Sequence, residues 1–202
     1  MEKIYFTGIG SRETPLPILN KMREVAYGLC QPRVGVQFVL RSGKAGGADE
    51  AFQLGVQYAT NEQRNAYDVS IKEVAEIYTP WDRFKNNNVL SLWDYTPKGE
   101  QMVNCQRIAA SLHPAWDRCS QGAKKLHGRN ICQVLGRDLE TPSSFVLFYA
   151  KEDRQGNVKG GTATAVNLAR QHGIPTINML YSDWEITFDK VLDEIFDKLK
   201  VK

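Results

Sequence analysis

Residues 143–178 read SSFVLFYAKEDRQGNVKGGTATAVNLARQHGIPTIN. The apolar run Phe145–Tyr149 leads through a polar loop to Gly160-Gly161-Thr162-Ala163-Thr164-Ala165. A helical run to Arg170 follows, and a second apolar run, 174–179, closes the unit. Strand, glycine-rich turn, helix and strand make one βαβ crossover, the repeating unit of a parallel sheet. Two glycines at a helix start let backbone N–H groups approach an anion, and the positive end of the helix dipole favours a phosphate there.

The same alternation runs back to the start of the chain. Residues 3–7 predict a buried strand ending in Gly8-Ile9-Gly10-Ser11-Arg12. Thr14-Pro15 then starts a helix, with proline in the first turn where its missing N–H costs nothing. Gly8 and Gly10 have two readings, a tight turn or a backbone that a ligand approaches with Ser11 and Arg12 as donors. Residues 37–40 predict the second strand, which enters Arg41-Ser42-Gly43-Lys44-Ala45-Gly46-Gly47-Ala48-Asp49, with a helix over 48–59. Each glycine costs roughly 0.5–1 kcal/mol of chain entropy, so three within residues 43–47 point to a loop that contacts phosphate or ribose. Asp49 suits the first helical turn by its charge, and equally suits an acceptor for ribose hydroxyls. The spacing is not that of a P-loop, and G-x-G-x-x-G is missing after the first strand, which argues against an ordinary dehydrogenase.

Residues 60–70 are polar and predict a loop or insertion, and 74–78 predict a third strand running into Thr79-Pro80-Trp81. Trp81 suits stacking on a base or anchoring the following segment. Residues 86–99 carry turn formers with little periodicity, and 101–112 predict a helix ended by His113-Pro114. His113 and Trp116 invite a base-binding reading, although a histidine beside a proline is commonly structural. Residues 123–139 predict a helix with a basic group of Lys124, Lys125, His127 and Arg129, and Arg129-Asn130 sit just before the strand that feeds the glycine pair. The apolar stripe Phe188, Val191, Leu192, Ile195, Phe196 and Leu199 predicts a closing helix over about 185–199 that packs on the sheet. Together these give an α/β fold: one Rossmann-like domain over 1–202, a parallel sheet of about five strands flanked by helices, with a helical insertion at about 85–122.

Composition fits that class. The chain has 202 residues, 42% hydrophobic, 24% charged, with a net charge of +3. It opens without a signal-peptide pattern and holds no apolar run of membrane-spanning length, so a cytoplasmic location with no membrane partner is expected. The four cysteines lack a C-x-x-C pair and read as reduced, mostly buried thiols, with no metal and no cofactor indicated. The mild charge supplies no basic groove for a nucleic acid.

The motifs, taken in order over residues 3–180, resemble the superfamily that includes the DNA-processing protein DprA (Smf), the LOG phosphoribohydrolases and the SLOG nucleotide-sensor domains. Gly10-Ser11-Arg12 and Ser42-Gly43-Lys44-Ala45-Gly46-Gly47-Ala48-Asp49 look like the G-S-R and S-G-x-A-x-G-A-D patterns of DprA-like and SLOG proteins. Leu126-His127-Gly128-Arg129-Asn130 is similar to the M-H-x-R-K stretch of the LOG enzymes, and the run from Gly160 to Asn167 lies where those enzymes carry P-G-G-x-G-T-x-x-E. The resemblance implies binding of a nucleotide or an ADP-ribose-like derivative, with phosphates on 160–164 and 42–47 and with Arg12 and Arg129 pairing their charge. It also implies a homo-oligomer. LOG enzymes cleave the N-glycosidic bond of nucleoside monophosphates using the last Glu of their motif, and here that position is Asn167. An amide neither takes a proton nor carries charge, a loss of about 10²–10⁴ in rate. The expectation is therefore a nucleotide-binding sensor, carrier or sequestering protein. The alternatives are an N-glycosidase in which Arg129, Asp49, Glu13 or Glu50 supplies the chemistry, and a DprA-like binder of single-stranded DNA.

Overall fold

The computed structural model of the chain describes residues 1–67, 74–84 and 91–200. Six strands, β1 (Glu2–Gly10), β2 (Val36–Ser42), β3 (Ala75–Tyr78), β4 (Asp94–Tyr95), β5 (Phe145–Tyr149) and β6 (Thr176–Asn178), form one sheet in the order β4-β3-β2-β1-β5-β6. Every pairing is parallel, with Phe6 opposite both Leu40 and Phe145, and Gly10 opposite Tyr149. Strands covered on both faces lose the alternation of a half-solvated sheet and read as continuous apolar runs. Phe145, Val146, Leu147 and Phe148 are accordingly all buried.

Helices cover both faces. α1 (Leu16–Leu29), α2 (Ala48–Tyr67) and α6 (Trp184–Lys200) pack over one core, through Met22, Ala26, Phe52, Val56, Trp184 and Val191. α3 (Gly99–Leu112), α4 (Gln121–Leu135) and α5 (Thr162–Gln171) pack over the other, through Cys105, Ala109, Ile131, Val134, Ala165 and Leu168. This is the doubly wound Rossmann-like arrangement expected from the alternation of elements, with six strands in place of about five. The sixth is the two-residue edge strand β4, too short for its period to register in a segment of turn formers. Part of that segment, 85–90, lies outside the described residues.

Three boundaries move for physical reasons. The polar stretch expected as a loop over 60–70 is helical through Tyr67, while 68–70 lie outside the described residues. Its polar side chains have partners at the end of α1: the Gln63 side-chain amide donates to Cys30 O at 2.8 Å and the Tyr27 hydroxyl donates to Glu62 at 2.6 Å. The helix expected over 123–139 stops at Leu135, because Gly136 takes φ +83° and turns the chain. The expected closing helix starts earlier, at Trp184. Within the expected insertion, α3 is part of the second layer, since Cys105 and Ala109 are fully buried against α4. All four cysteines are free thiols; Cys105 and Cys132 face each other at 3.3 Å in that layer.

A buried ion pair crosses β2 and β3. Arg41 Nε donates to Glu76 Oε2 at 2.7 Å, its guanidinium lies 3.8 Å from the Tyr5 ring centroid, and Nη1 donates to Thr141 O. Glu76 also accepts the Tyr78 hydroxyl at 2.6 Å. A Cβ on Gly136 would stand 2.6 Å from Arg41 Nη2, so glycine there serves the guanidinium as well as the turn. Removing one member strands the other charge in the core, which typically costs about 3–5 kcal/mol. Glu76→Ala is expected to lower the urea-unfolding free energy by about that much, and a loss below about 1 kcal/mol would show the pair is not load-sharing with the sheet.

Candidate functional site

Strand order reverses between β1 and β5: the chain leaves β1 toward β2 on one side and leaves β5 toward β6 on the other. Ligands of open α/β sheets bind outside the carboxyl ends of the strands at such a point, because the connecting loops part there and leave a crevice. A cavity of about 650 Å³ lies at this place, lined by the β1–α1 turn, the starts of α2 and α5, the end of β5 and one face of α4. Its volume is within the usual range for small-molecule sites.

Of the residues singled out from sequence, the cavity wall includes Gly10, Ser11, Arg12, Glu13, Ala45, Asp49, Arg129, Asn130, Gly160, Gly161 and Thr162. Glu50 and Asn167 are absent from the wall. Ser42, Gly43, Gly46, Gly47, Trp81 and Thr164 also do not line it, and most have another task. Ser42 Oγ donates to Gly8 O at 2.7 Å inside the sheet. A Cβ at Gly43 would sit 1.3 Å from Arg129 Nη1, so this glycine is the slot for the guanidinium. Gly47 has φ +81°, and a Cβ there would meet the Arg12 backbone at 2.7 Å. Gly43 and Gly47 therefore admit neighbouring protein, while a Cβ at Gly46 would meet only Glu50 Oε2 at 3.9 Å, and only Ala45 of residues 42–47 reaches the cavity. Trp81 stacks edge-on with Phe84 at 5.1 Å, away from the wall. Gly8 and Gly10 are both required by packing: a Cβ at Gly8 would stand 2.6 Å from the Phe52 ring of α2, and one at Gly10 would stand 2.8 Å from Ala48 Cβ.

At α5 the glycines do face open space. Gly160 has φ +79°, and a Cβ on either Gly160 or Gly161 would meet nothing within 4 Å. Gly161 is the N-cap residue and supplies no side-chain cap, so the first-turn amides have no acceptor from that side chain. Asn130 Nδ2 donates to Gly161 O at 2.8 Å and fixes the turn against α4. The start of α2 is different. There Asp49 Oδ2 accepts from Ala45 N at 3.4 Å, so the helix start already holds a carboxylate.

Asp49 and Arg129 form a buried pair across the cavity floor, with Nη1 3.4 Å from Oδ2 and both side chains nearly inaccessible. Arg129 Nη1 also donates to Gln133 Oε1 at 2.9 Å. Burial pushes the Asp49 carboxyl above its usual range, against the opposing pull of the Arg129 charge and the Ala45 and Gly10 amides. Asp49 Oδ1 and Arg129 Nε are buried without a hydrogen-bond partner. Groups of that kind are ordinarily satisfied by a ligand or an ordered water. His127 donates or accepts at Thr164 Oγ1, 2.7 Å from its Nδ1. Burial, then the His113 and Arg129 charges, push its imidazole pKa down.

Two wall residues were missed by sequence reasoning and carry charge: Lys151, just after β5, and Lys159, just before the glycine pair. Their signal was position alone, since the carboxyl end of a strand and the start of a helix flank a switch-point crevice. In comparisons with family models, curated proteins and solved structures, none matched this chain.

Gly43→Ala tests the floor. A methyl group in the guanidinium's place is expected to expel Arg129 and to lower stability by about 1–3 kcal/mol, read by urea unfolding. A neutral effect would mean that Arg129 has room elsewhere.

Proposed function

We propose that the cavity binds a nucleotide or a nucleotide-derived ligand such as an ADP-ribose-like compound, with a phosphate at the start of α5. The observation that carries this is the open, uncapped first turn of α5 at the β1/β5 switch point. Backbone amides aimed at one spot bind phosphate oxygens, and the helix dipole adds to them. Arg12, Lys151 and Lys159 in the same wall supply the counter-charge. Asp49 Oδ1, buried and unpartnered, is suited to accept from ribose hydroxyls at the other end of the cavity. The phosphate expected on residues 42–47 moves to α5, because Asp49 occupies the start of α2.

A second reading, hydrolysis of a nucleotide N-glycosidic bond, is favoured by the same Asp49. Asn167 is outside the wall, so its amide does not decide the chemistry; the carboxylates in the cavity are Asp49 and Glu13. Asp49 rests on Arg129, a pairing that supports a structural charge more than a mobile proton carrier. Binding without efficient turnover is therefore the preferred reading, as a sensor, carrier or sequestering protein. The resemblance noted above extends the proposal to a homo-oligomer, which light scattering on the purified chain tests. Four free thiols suit a reducing compartment such as the cytoplasm. No helix among the described residues is long and apolar enough to cross a membrane.

Thermal unfolding with nucleoside monophosphates, NAD and ADP-ribose tests binding; a ligand at 100 times its Kd adds about 2.7 kcal/mol. Adenosine is expected to give a smaller shift than AMP. Gly161→Asp puts a carboxylate at the N-cap, where it suits the helix and has open space but repels phosphate. Affinity for the phosphorylated ligand is expected to fall at least about tenfold with stability kept, the loss of one charge-assisted contact. Unchanged binding by this variant, or no shift with any of the panel, would overturn the reading. Free base in the incubation products would select the hydrolase instead, and Asn167→Glu is expected to leave that outcome unchanged.

A further inference from the structure

Beside the cavity, His113, Cys119 and His127 each offer one ligand atom, and these atoms all lie within 4.8 Å of one another. Among the described residues they are the one such group. The juxtaposition follows from the chain path. α3 ends at His113, Pro114 prevents its continuation, and the turn through Trp116–Arg118 returns Cys119 beneath the His113 ring. Ser120 then caps α4 by accepting from Ala123 N, and His127 lies two turns along that helix.

We infer that His113, Cys119 and His127 form a binding site for a tetrahedral transition-metal ion, zinc by the chemistry of its donors. Tetrahedral zinc with Zn–S near 2.3 Å and Zn–N near 2.1 Å separates sulfur from nitrogen by about 3.6 Å. Cys119 Sγ stands 3.8 and 3.9 Å from the two ring nitrogens of His113, nearly equidistant from both, so metal uptake requires the thiol or the ring to turn until the sulfur lies on the lone-pair side of one nitrogen. The His113 and His127 rings are 4.6 Å apart between centroids and inclined at 63°, an edge contact that keeps them from stacking. Thr164 Oγ1 holds His127 Nδ1 at 2.7 Å and leaves Nε2 for an ion, the outer hydrogen bond that metal-ligating histidines commonly have. At His113 the Ala115 amide donates to Nδ1 at 3.2 Å, and a metal taking that lone pair displaces one amide bond.

Two nitrogens and one thiolate leave the fourth tetrahedral position for water or another oxygen donor, as in catalytic rather than structural zinc sites. His127 belongs to the cavity wall as well, so the ion sits at the edge of the pocket. The site stands whether or not a nucleotide occupies that pocket. An isolated buried histidine with a neighbouring thiol is commonplace; two imidazoles and a thiol within 4.8 Å of one another, one ring already oriented by a hydroxyl, are not.

The full chain, stripped with a chelator and titrated with Co²⁺, reports on this directly by visible and near-ultraviolet absorption. One equivalent is expected to give tetrahedral ligand-field bands and a thiolate-to-cobalt charge-transfer band, both displaced by Zn²⁺. Cys119→Ala is expected to abolish the charge-transfer band with circular dichroism unchanged. Thr164→Val keeps all three ligands and removes the partner of His127, so a loss of about 10–100-fold in affinity is expected. Cobalt bound without a thiolate band, or a band surviving in Cys119→Ala, overturns the site. Equal affinity in Thr164→Val removes His127 from the set and does the same. None of these readouts depends on nucleotide, so failure here leaves the preceding proposal to its own test.

Discussion

The guanidinium of Arg129, lying in the slot that Gly43 leaves open, is the contact on which the arrangement at the sheet's carboxyl edge depends. It comes from α4, in one helical layer, and meets Asp49 at the start of α2, in the other. Two charges inside a protein are expensive to bury and are retained only with good partners. Here the pair ties both layers together over the end of β2, and the wall of the cavity is built around it. With alanine at 43 the pair has no space; without Arg129, Asp49 would be a buried carboxylate held only by backbone amides.

That pair also decides which helix start is open. α2 and α5 both follow a strand through a glycine-bearing loop, and from sequence they look equivalent. They differ in what stands in the first turn. α2 places Asp49 there, and its carboxylate accepts from Ala45 N and puts a fixed negative charge in the first turn. α5 places Thr162 and Ala163 there, after an N-cap glycine with no side chain. A dipole that meets a fixed carboxylate has little left for a mobile anion, whereas one without a side-chain cap retains its field, although Ala163 N donates to Gly160 O at 3.1 Å.

The fold was legible because its signal is redundant. Buried parallel strands such as Phe145–Tyr149 are apolar without interruption, and each is followed by a turn and an amphipathic helix. The site was legible in part: Gly10 to Arg12, Asp49, Arg129 and the glycine pair all reach the cavity. What sequence did not separate is glycine that admits ligand from glycine that admits protein. Gly43 and Gly160 are equally conspicuous as letters, yet one faces an arginine and the other open space. Polar composition misled at residues 60–67 for a similar reason, since Glu62 and Gln63 find partners on α1 that no local pattern reveals. The cluster at His113 was hidden because its members meet through the end of one helix and the second turn of the next.

Charge around the cavity closes the argument about what it can hold. Arg12, Arg129, Lys151 and Lys159 stand in its wall against Glu13 and Asp49. Since Arg129 is spent on Asp49, the surplus comes from Arg12 on the β1–α1 turn, Lys151 after β5 and Lys159 before α5. At an effective dielectric near 20, two unit charges about 4 Å apart interact by about 4 kcal/mol, so where the surplus sits matters more than its total. Lys159 immediately precedes the uncapped helix start, and Asp49 supplies a hydrogen-bond-accepting carboxylate elsewhere in the same wall. The ligand proposed above, a phosphorylated sugar derivative with a negative end and hydroxyl donors, would set its phosphate against the helix start and its hydroxyls toward Asp49.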